Sequence, residues 1–475
     1  MKKLIQILGI VVLAIVVILN IVYTADMNSG EQISIKFSSF IYIIGLIITA
    51  ILIYFITEVI NKHLYNGINE EKKHKLRKWI VAIAIVLYLI LNVVWLIFVR
   101  PGIVADSIHV LNLAQTFYEN NPDRYLPNLT YAGIPLIQYM QAYPHQITLA
   151  LYKITKQLSK DYKMNNTRMF ILILTFFTIP MLATFMYGDI PALALSLFSV
   201  YFMMKFTDTK QVRYGVFASI LTMIAYLMRM NTLIFVIATV IYLVLNIFKD
   251  FKEKEVKEKL INVAVIAMFL VLTFVPSSLV KTYYFSKYNL EKGKTYPSIS
   301  YILMAMEEGP RANGWYNESI AEPALRSLKT GENISDEYKE KIKDRLEYFA
   351  NHPAYTVDFY RQKLTTTWAE STYSAIFNNG ITEESNLSWV KSPLTFYQKA
   401  WIILTFTLAI IVLIQNRKNL TIELIFLITI FLGGFCFHIL WEAKSRYIIP
   451  YIVTLIPVAS VMLNIKPWKI KKLNS

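Results

Sequence analysis

The sequence predicts an all-α integral membrane protein with about 12 transmembrane helices. Of its 475 residues, 55% are hydrophobic and only 17% are charged, whereas about a quarter of the residues in a soluble domain are charged. Several apolar runs reach or approach the ~20 residues with which a helix crosses the hydrocarbon core. The clearest are Leu4 to Tyr23, Phe40 to Ile60, Trp79 to Phe98, Leu233 to Phe248, Leu260 to Leu279, Trp401 to Ile414 and Leu420 to Leu440. Since a barrel would show short alternating segments instead, the runs indicate helices.

The net charge of +16 does not indicate nucleic-acid binding. The basic residues lie in short segments between apolar runs, where they orient a membrane protein. The single cysteine, Cys436, lies inside an apolar run, which excludes an internal disulfide framework.

The basic segments give each helix a direction. Lys2 and Lys3 place the N-terminus in the cytoplasm, the first helix leads out to residues 24–34, and the second returns to a basic loop at 62–78. The third to sixth helices exit near Arg100, return near 156–168, exit near Tyr187 and return at 205–213. The seventh is interrupted at Arg229, the eighth returns to a basic loop at 249–259, and the ninth exits into a long polar segment. The last three return, exit and return again.

This path predicts three regions. Residues 1–280 form an N-terminal membrane domain whose external loop, at about 101–135, carries catalytic residues. Residues 281–395 form an α-rich external loop domain, in which Ser335 to Phe349 has helical spacing with Ser335 as a candidate N-cap. Residues 396–475 supply the C-terminal transmembrane helices.

Two aspartates lie where helices meet the predicted external face. Asp106 precedes a segment, Ile108 to Tyr118, with the spacing of an interfacial helix, so that it either accepts a proton from a substrate or caps that helix. Asp189 stands in Tyr187-Gly-Asp-Ile-Pro191, between two uncharged runs. A tight turn needs only the Gly and the Pro, so this carboxylate is a second candidate.

Basic residues occur at the same face. Arg229 interrupts an apolar stretch, where an arginine either serves a function or extends to lipid headgroups. Near the C-terminus, His438, Glu442, Lys444 and Arg446 lie within nine positions of one another at an external helix end. Since the positive charges of Lys444 and Arg446 oppose the orientation rule, this cluster indicates an anion site, for which a phosphate is the best candidate. The alternative is a simple ion-pair loop.

Further motifs follow Asp106 in order along the chain. They are Tyr143-Pro-His-Gln146, Tyr187-Gly-Asp189, Met228-Arg-Met230, Gly314-Trp-Tyr-Asn317, Trp368-Ala-Glu-Ser-Thr372 and Trp441-Glu-Ala-Lys-Ser-Arg-Tyr447. The ordered set resembles the polytopic GT-C glycosyltransferases. Within that superfamily it is most similar to the protein mannosyltransferase type (family 39-like) of Gram-positive bacteria. Such enzymes transfer a sugar from a polyprenyl-phosphate carrier to an acceptor on the outer face of the membrane.

The resemblance implies roles for the candidate residues. Asp106 would take a proton from the acceptor hydroxyl, and Asp189 would orient its partner or the sugar. Six residues would bind substrate: Arg229, His145, Glu370, Glu442, Lys444 and Arg446. The partners implied are a polyprenyl-phosphate sugar donor, a cell-envelope acceptor and the lipid bilayer, with no nucleic acid. The implied location is the plasma membrane, crossed many times, with an extracytoplasmic active site.

Some features leave alternatives open. Asp106 is followed by Ser107, where many protein mannosyltransferases have an Asp-Glu pair. This difference leaves the class of acceptor open among a polysaccharide, a teichoic acid, a glycolipid and a protein. No DxD pair stands at either acidic turn, so no cofactor is expected and a divalent metal is an unsupported alternative. A lipid-linked sugar transporter or a non-catalytic assembly subunit would also have many helices, but transporters bind substrate near the midplane.

Overall fold

A computed structural model describes residues 1–65, 69–99, 106–119, 143–182, 185, 187–249, 255–287, 297–330, 332–381 and 383–464. Most of the external loop predicted at 101–135 lies outside these residues, as does the end of the last predicted helix. The helices of the first half of the chain are α1 (Lys2–Val22), α2 (Phe40–Tyr65), α3 (Glu70–Val99), α4 (Asp106–Tyr118), α5 (Tyr143–Leu158), α6 (Asn166–Leu174), α7 (Thr178–Leu182), α8 (Asp189–Thr209), α9 (Val212–Met228) and α10 (Leu233–Phe248). Those of the second half are α11 (Val256–Lys287), α12 (Ile299–Met306), α13 (Glu318–Thr330), α14 (Ser335–Asn351), α15 (Pro353–Trp368), α16 (Ala375–Asn378), α17 (Lys391–Gln415), α18 (Ile422–Leu440), α19 (Ile449–Val453) and α20 (Leu455–Ala459).

The predicted fold class is confirmed: the protein is an all-α polytopic membrane protein. Within the described residues, eight helices are long and apolar enough to cross a membrane. They are Lys2–Val22, Phe40–Leu64, Lys78–Val99, Asp189–Thr209, Met230–Phe248, Val256–Lys287, Ser388–Gln415 and Ile422–Leu440.

The other predicted spans correspond to shorter or broken helices. α5 has 16 residues and α9 has 17, slightly fewer than the ~20 that a perpendicular span needs. The fifth predicted span is divided into α6 and α7, and the twelfth into α19 and α20, which contain Pro450 and Pro457. Proline removes a helical hydrogen bond and clashes with the preceding turn, which accounts for the short pieces at the C-terminus. The count of about 12 spans therefore stays a prediction.

Burial separates peripheral helices from central ones. Only 22%, 0% and 17% of the apolar windows in α2, α3 and α11 are buried, whereas 72% is buried in both α8 and α17. Because the peripheral helices are strongly apolar and yet turn their side chains outward, they have the character of lipid-facing helices. α8, α17 and α18 form the centre of the bundle, and their ends position the candidate site.

A two-stranded antiparallel hairpin, which the sequence did not predict, follows α1. Strand β1 (Tyr23–Met27) pairs with β2 (Ile33–Phe37) in a register that sets Tyr23 opposite Phe37. Its turn contains Glu31, which adopts a left-handed conformation with φ of 61° and is buried. The Ile33 amide donates to the Arg311 carbonyl oxygen at 2.9 Å, which fixes the hairpin to the long C-terminal half of the chain.

The segment predicted as an external domain, 281–395, contains α12 to α16 with two small apolar clusters of its own. One cluster includes Leu303 and Tyr338, and the other includes Phe349 and Phe359. Helix α14 confirms the predicted helix, but Ser335 is not its N-cap: Ile334 holds that position, and the Asn333 side chain accepts a hydrogen bond from the Ser335 amide. The division into three regions stays a prediction.

Candidate active site

Arg446 forms the centre of a charge cluster at one end of the helix bundle. It lies in a 3₁₀ turn (Ser445–Ile448) just after α18, and its side chain has no exposed surface. Its Nη2 donates to Asp106 Oδ2 at 2.7 Å, and its Nε lies 3.0 Å from Asp189 Oδ2. One buried guanidinium therefore joins two carboxylates that are far apart in the sequence.

Asp189 is paired with a second arginine. It is the first residue of α8, where the helix dipole favours a negative charge. Its Oδ1 lies 2.6 Å from Arg229 Nε. Arg229 has extended backbone at the break between α9 and the 3₁₀ turn Met230–Thr232, so its side chain leaves the helical path at this end of the bundle. Asp189 thus contacts both Arg229 and Arg446.

Aromatic rings enclose the two guanidinium groups. The Arg229 guanidinium lies 4.6 Å from the ring centre of Tyr187 and 4.8 Å from that of Tyr447, and its Nη1 donates to the Tyr187 hydroxyl at 2.9 Å. The Arg446 guanidinium lies 4.7 Å from the rings of both Phe185 and Tyr187. Cation–π contacts of this kind help to offset the cost of removing a guanidinium from water.

Asp106 is the accessible member of the cluster. It is the first residue of α4, and 39% of its side-chain surface is exposed to solvent. Burial acts to raise the pKa of this carboxyl, but the charges of Arg446, Lys444 and Arg229 and the hydrogen bond from Arg446 outweigh it and lower the pKa to about 2. The carboxylate contact seen within the described residues is to Arg446, which fits a site residue better than a simple helix cap.

Glu442 and Lys444 flank this cluster on the same loop. The Glu442 side chain is buried, and among the described residues it has no hydrogen-bond or ion-pair partner. Burial raises its pKa to about 7, against the lowering effects of Lys444 and Arg229. Burial also lowers the pKa of Lys444, whose ammonium pairs with Glu31 of the hairpin turn. Glu31 also lies 3.0 Å from Arg311 Nη1.

Two buried groups hold the loop that carries these residues. Lys363 Nζ donates to the carbonyl oxygens of Ile439 at 2.9 Å and Trp441 at 3.2 Å. It thereby gives a hydrogen-bond donor to carbonyl groups at the C-terminal end of α18, which have no partner within the helix. Glu370 accepts from the Ser445 hydroxyl at 2.6 Å and from the Ser374 amide at 2.7 Å. The buried Glu370 carboxylate therefore anchors the loop through these hydrogen bonds, and its predicted role in substrate binding stays a prediction.

The two histidines predicted to belong to the site are not seen to contact the charge cluster within the described residues. His438 lies in α18, and its Nδ1 is 3.2 Å from the Glu442 carbonyl oxygen, so it contacts the loop backbone. The side chain of His145 lies outside the described part of the chain, although its backbone belongs to α5. Among the described residues, no group of three or more His, Cys, Asp or Glu side chains is placed to hold a metal ion.

The structure thus brings together Asp106, Asp189, Arg229, Lys444 and Arg446, with Glu442 beside them. Sequence reasoning missed Glu31, Lys363 and the rings of Tyr187 and Tyr447. The sequence did offer a signal for the two tyrosines, since each belongs to a motif that also contains a candidate site residue, Asp189 or Arg446. Glu31 had none, because its partner Lys444 is 413 positions away.

Comparison with known proteins gives one match. Residues 144–276 match the family described as dolichyl-phosphate-mannose-protein mannosyltransferase. The matched range includes Asp189 and Arg229 but neither Asp106 nor the loop after α18. No curated protein and no solved structure matches the chain. The family match supports a membrane glycosyltransferase of the GT-C superfamily.

Proposed function

We propose that this protein transfers a sugar from a polyprenyl-phosphate donor to a hydroxyl of a cell-envelope acceptor at the external face of the plasma membrane. The observation that carries the proposal is the Arg446 guanidinium that joins Asp106 and Asp189 at one end of an apolar bundle. The family matched by residues 144–276, whose name includes a lipid-phosphate sugar, supports the donor class. The basic loops, which the orientation rule assigns to the cytoplasm, support an external site.

The cations suit the leaving group of such a donor. When the glycosidic bond breaks, the electron pair stays on the phosphate oxygen, and positive groups placed there lower the barrier. Arg229 and Arg446 present planar donors that match phosphate geometry, and Lys444 adds a third charge. In the free protein these cations are paired with Asp189, Asp106 and Glu31. A donor phosphate that binds the cations therefore replaces these carboxylates as their ion-pair partner.

That exchange also prepares the base. While Arg446 holds Asp106, the low pKa of this carboxylate makes it a weak acceptor of protons. A phosphate that binds Arg446 competes for the guanidinium, weakens its pair with Asp106 and raises the pKa of the carboxylate. Asp106 then takes the proton of the acceptor hydroxyl as its oxygen attacks the anomeric carbon. A single displacement of this kind inverts the configuration at that carbon.

The experiment incubates purified protein in sealed lipid vesicles with a panel of radiolabelled polyprenyl-phosphate hexoses and membrane extracts as acceptors. We expect label from one donor in a product that no longer carries the polyprenyl chain. Intact labelled lipid that appears only on the opposite leaflet of a vesicle would identify a transporter instead. Donor that is neither bound nor consumed would favour an assembly subunit.

The variant Asp106→Asn tests the assigned base in the same assay. The amide oxygen of Asn can still accept the hydrogen bond from Arg446, but Asn cannot take a proton. Because positioned proton transfer contributes about 10²–10⁴ in rate, transfer per folded molecule should fall by at least about 100-fold, and loss of the ion pair with buried Arg446 should also lower the Tm. Asp336→Asn, which removes an exposed acid from the first turn of α14, serves as the control. Normal transfer by Asp106→Asn would contradict the assignment.

A further inference from the structure

A groove beside the candidate active site is not used by the proposed chemistry. It lies between the hairpin, residues 309–313 and α15, and encloses about 430 Å³. A volume of 300–1,000 Å³ is typical of small-molecule sites, so the groove can hold one or two sugar-sized units.

The lining of this groove is cationic. Lys36, Arg311 and Arg361 all contribute to it, whereas no Asp or Glu is among its described lining residues. Lys36 makes no ion pair within the described part of the chain, and its side chain is exposed. The acids that pair with Arg361 and Arg311, such as Asp358 and Glu318, lie outside the groove. A ligand in the groove therefore meets three cationic side chains, of which Lys36 has no ion pair within the described residues, while Arg311 and Arg361 keep their ion pairs with Glu31, Glu318 and Asp358.

The groove also offers contacts that suit a hydroxylated ligand. Asn313 lines one wall with an amide that can both donate and accept hydrogen bonds. Tyr23 and Phe37 line another wall, with ring centres 5.0 Å apart, and give the carbon face of a sugar or polyol an apolar surface. Polar and apolar walls in one groove are typical of sites that bind such compounds.

The wall of the groove is joined directly to the site. Arg311 contacts Glu31, and Glu31 pairs with Lys444 of the site loop. The Gly314 carbonyl oxygen accepts a hydrogen bond from the Ala443 amide at 2.8 Å, which ties the same segment to that loop. A ligand in the groove is thus next to the site but apart from the cations assigned to the donor phosphate.

We propose that this groove is the acceptor subsite and that it recognises an anionic acceptor, a glycan or polyol chain with phosphate or carboxylate groups. The inference rests on the proposed function, and it narrows the acceptor to a charged polymer. An adjoining unit of the bound chain would present its hydroxyl to Asp106. An anionic lipid headgroup has the same charge chemistry, and the experiment distinguishes the two sources.

The test measures binding of a synthetic glycerol-phosphate hexamer to the protein in phosphatidylcholine nanodiscs. The double variant Lys36→Gln with Arg361→Gln removes two charges from the groove and leaves the Glu31 contacts intact. We expect its Kd for the hexamer to rise about tenfold, since charge-assisted contacts of this kind are lost. The control is Lys339→Gln, which breaks an exposed i,i+3 ion pair of α14 similar to the Arg361–Asp358 pair, and should bind as wild type.

The outcomes separate this inference from the proposed function. The binding assay needs no sugar transfer, and donor-lipid binding, measured separately, should not change in the double variant. Equal hexamer affinity for wild type and double variant would overturn the acceptor subsite while leaving the transferase proposal intact. If phosphatidylglycerol in the nanodisc displaces the hexamer from wild type at a few mole per cent, the groove is a lipid headgroup site and the inference is wrong.

Discussion

At the scale of single residues, the site carboxylates of Asp106 and Glu442 have opposite environments. Asp106 is held ionised by Arg446 and Lys444, whereas Glu442 is buried without a partner in the described residues and has a pKa of about 7. A pair of acids whose pKa values are driven apart in this way is common where one fold performs acid and base steps. Glu442, expected from the sequence to bind substrate, thus has a carboxyl group that can gain or lose a proton near neutral pH, unlike that of Asp106.

The buried arginine has an energetic cost that stability alone does not explain. Removing a charged pair from water costs several kcal/mol per ion, and apolar residues of similar volume often stabilise a protein more. Arg446 is fully buried, and its contacts with two carboxylates and several rings offset part of this cost, although its Nε makes no hydrogen bond within the described residues. Such arrangements near a membrane are expected where a charged ligand is handled.

The raised pKa of Glu442 predicts that its ionisation lowers the stability of the folded protein at high pH, and that Glu442→Gln removes this loss. The folded protein holds a proton that the unfolded chain releases near pH 4.5, so stability falls as pH rises from about 4.5 to about 7. Above pH 7 the full cost is present, about 3 kcal/mol for a shift of this size. The Tm of Glu442→Gln should be close to that of wild type at pH 4 and exceed it by several degrees at pH 8.

Thermal unfolding in detergent at the two pH values measures this difference. Glu347→Gln, which removes an exposed carboxylate of α14, is the control and should shift the Tm equally at both. A Glu442→Gln effect that does not change with pH would show that the buried carboxyl does not titrate in this range.

At the scale of elements, α18 must approach its neighbour closely to deliver the site loop. It contains Gly433 and Gly434 side by side. A Cβ on Gly434 would lie 2.1 Å from Cδ2 of Tyr451 in α19, closer than any real contact. A Cβ on Gly433 would meet only one methyl of Ile234, at 2.9 Å. Small residues at a helix interface commonly allow this close approach inside membranes.

The two glycines form a matched pair for mutation. Both alanine variants gain about 1 kcal/mol of helix propensity, so their difference reports packing. Gly434→Ala must displace the Tyr451 ring and should lose about 1–3 kcal/mol, whereas Gly433→Ala must displace only one methyl group of Ile234 and should lose less. Because Tyr451 lies 5.9 Å from the His438 ring beneath the site loop, Gly434→Ala should also lower transfer activity. The two variants are compared by Tm and initial rate, and equal values would contradict the packing argument.

At the scale of the whole molecule, charged groups mark both ends of the bundle. Arg168, which is buried, pairs with Glu58 and donates to the carbonyl oxygens of Ala459 and Val461. In the predicted topology this tie lies at the cytoplasmic end, opposite Arg446. The two ends therefore carry different ion pairs, and the predicted external domain adjoins the end that carries Arg446.

Cysteine labelling tests the predicted orientation. Ser319 lies at the surface of the predicted external domain, and Thr209 is exposed at the end of α8 that the basic loops assign to the cytoplasm. In a Cys436→Ala background, Ser319→Cys should react with an impermeant thiol reagent in intact cells, and Thr209→Cys only after lysis. Ser107 is unsuitable because it is buried. The reverse pattern would invert the whole topology and, with it, the side of the site.

How far the sequence could be interpreted depended on the range of each interaction. Apolar runs predicted α1, α2, α3, α10 and α18 because membrane burial acts on each segment separately. The side of the membrane assigned to each charged residue predicted which charged residues lie together, including Asp106, Asp189 and Arg446. What it could not predict were contacts set by tertiary packing alone. Glu370 has the appearance of a substrate ligand in the sequence, and only its contacts with Ser374 and Ser445 reveal an anchor.

The position of Arg446 has a consequence for how the protein is made. Asp106 is 340 positions ahead of it in the sequence, and Glu31 is 413 positions ahead of Lys444. During synthesis the acids and Arg229 enter the membrane first, and the cations of the last loop arrive only when α18 is complete. Until then two carboxylates at the end of the bundle share a single arginine. A chain that ends before α18 therefore lacks the cations that pair with Asp106 and Glu31 in the complete protein.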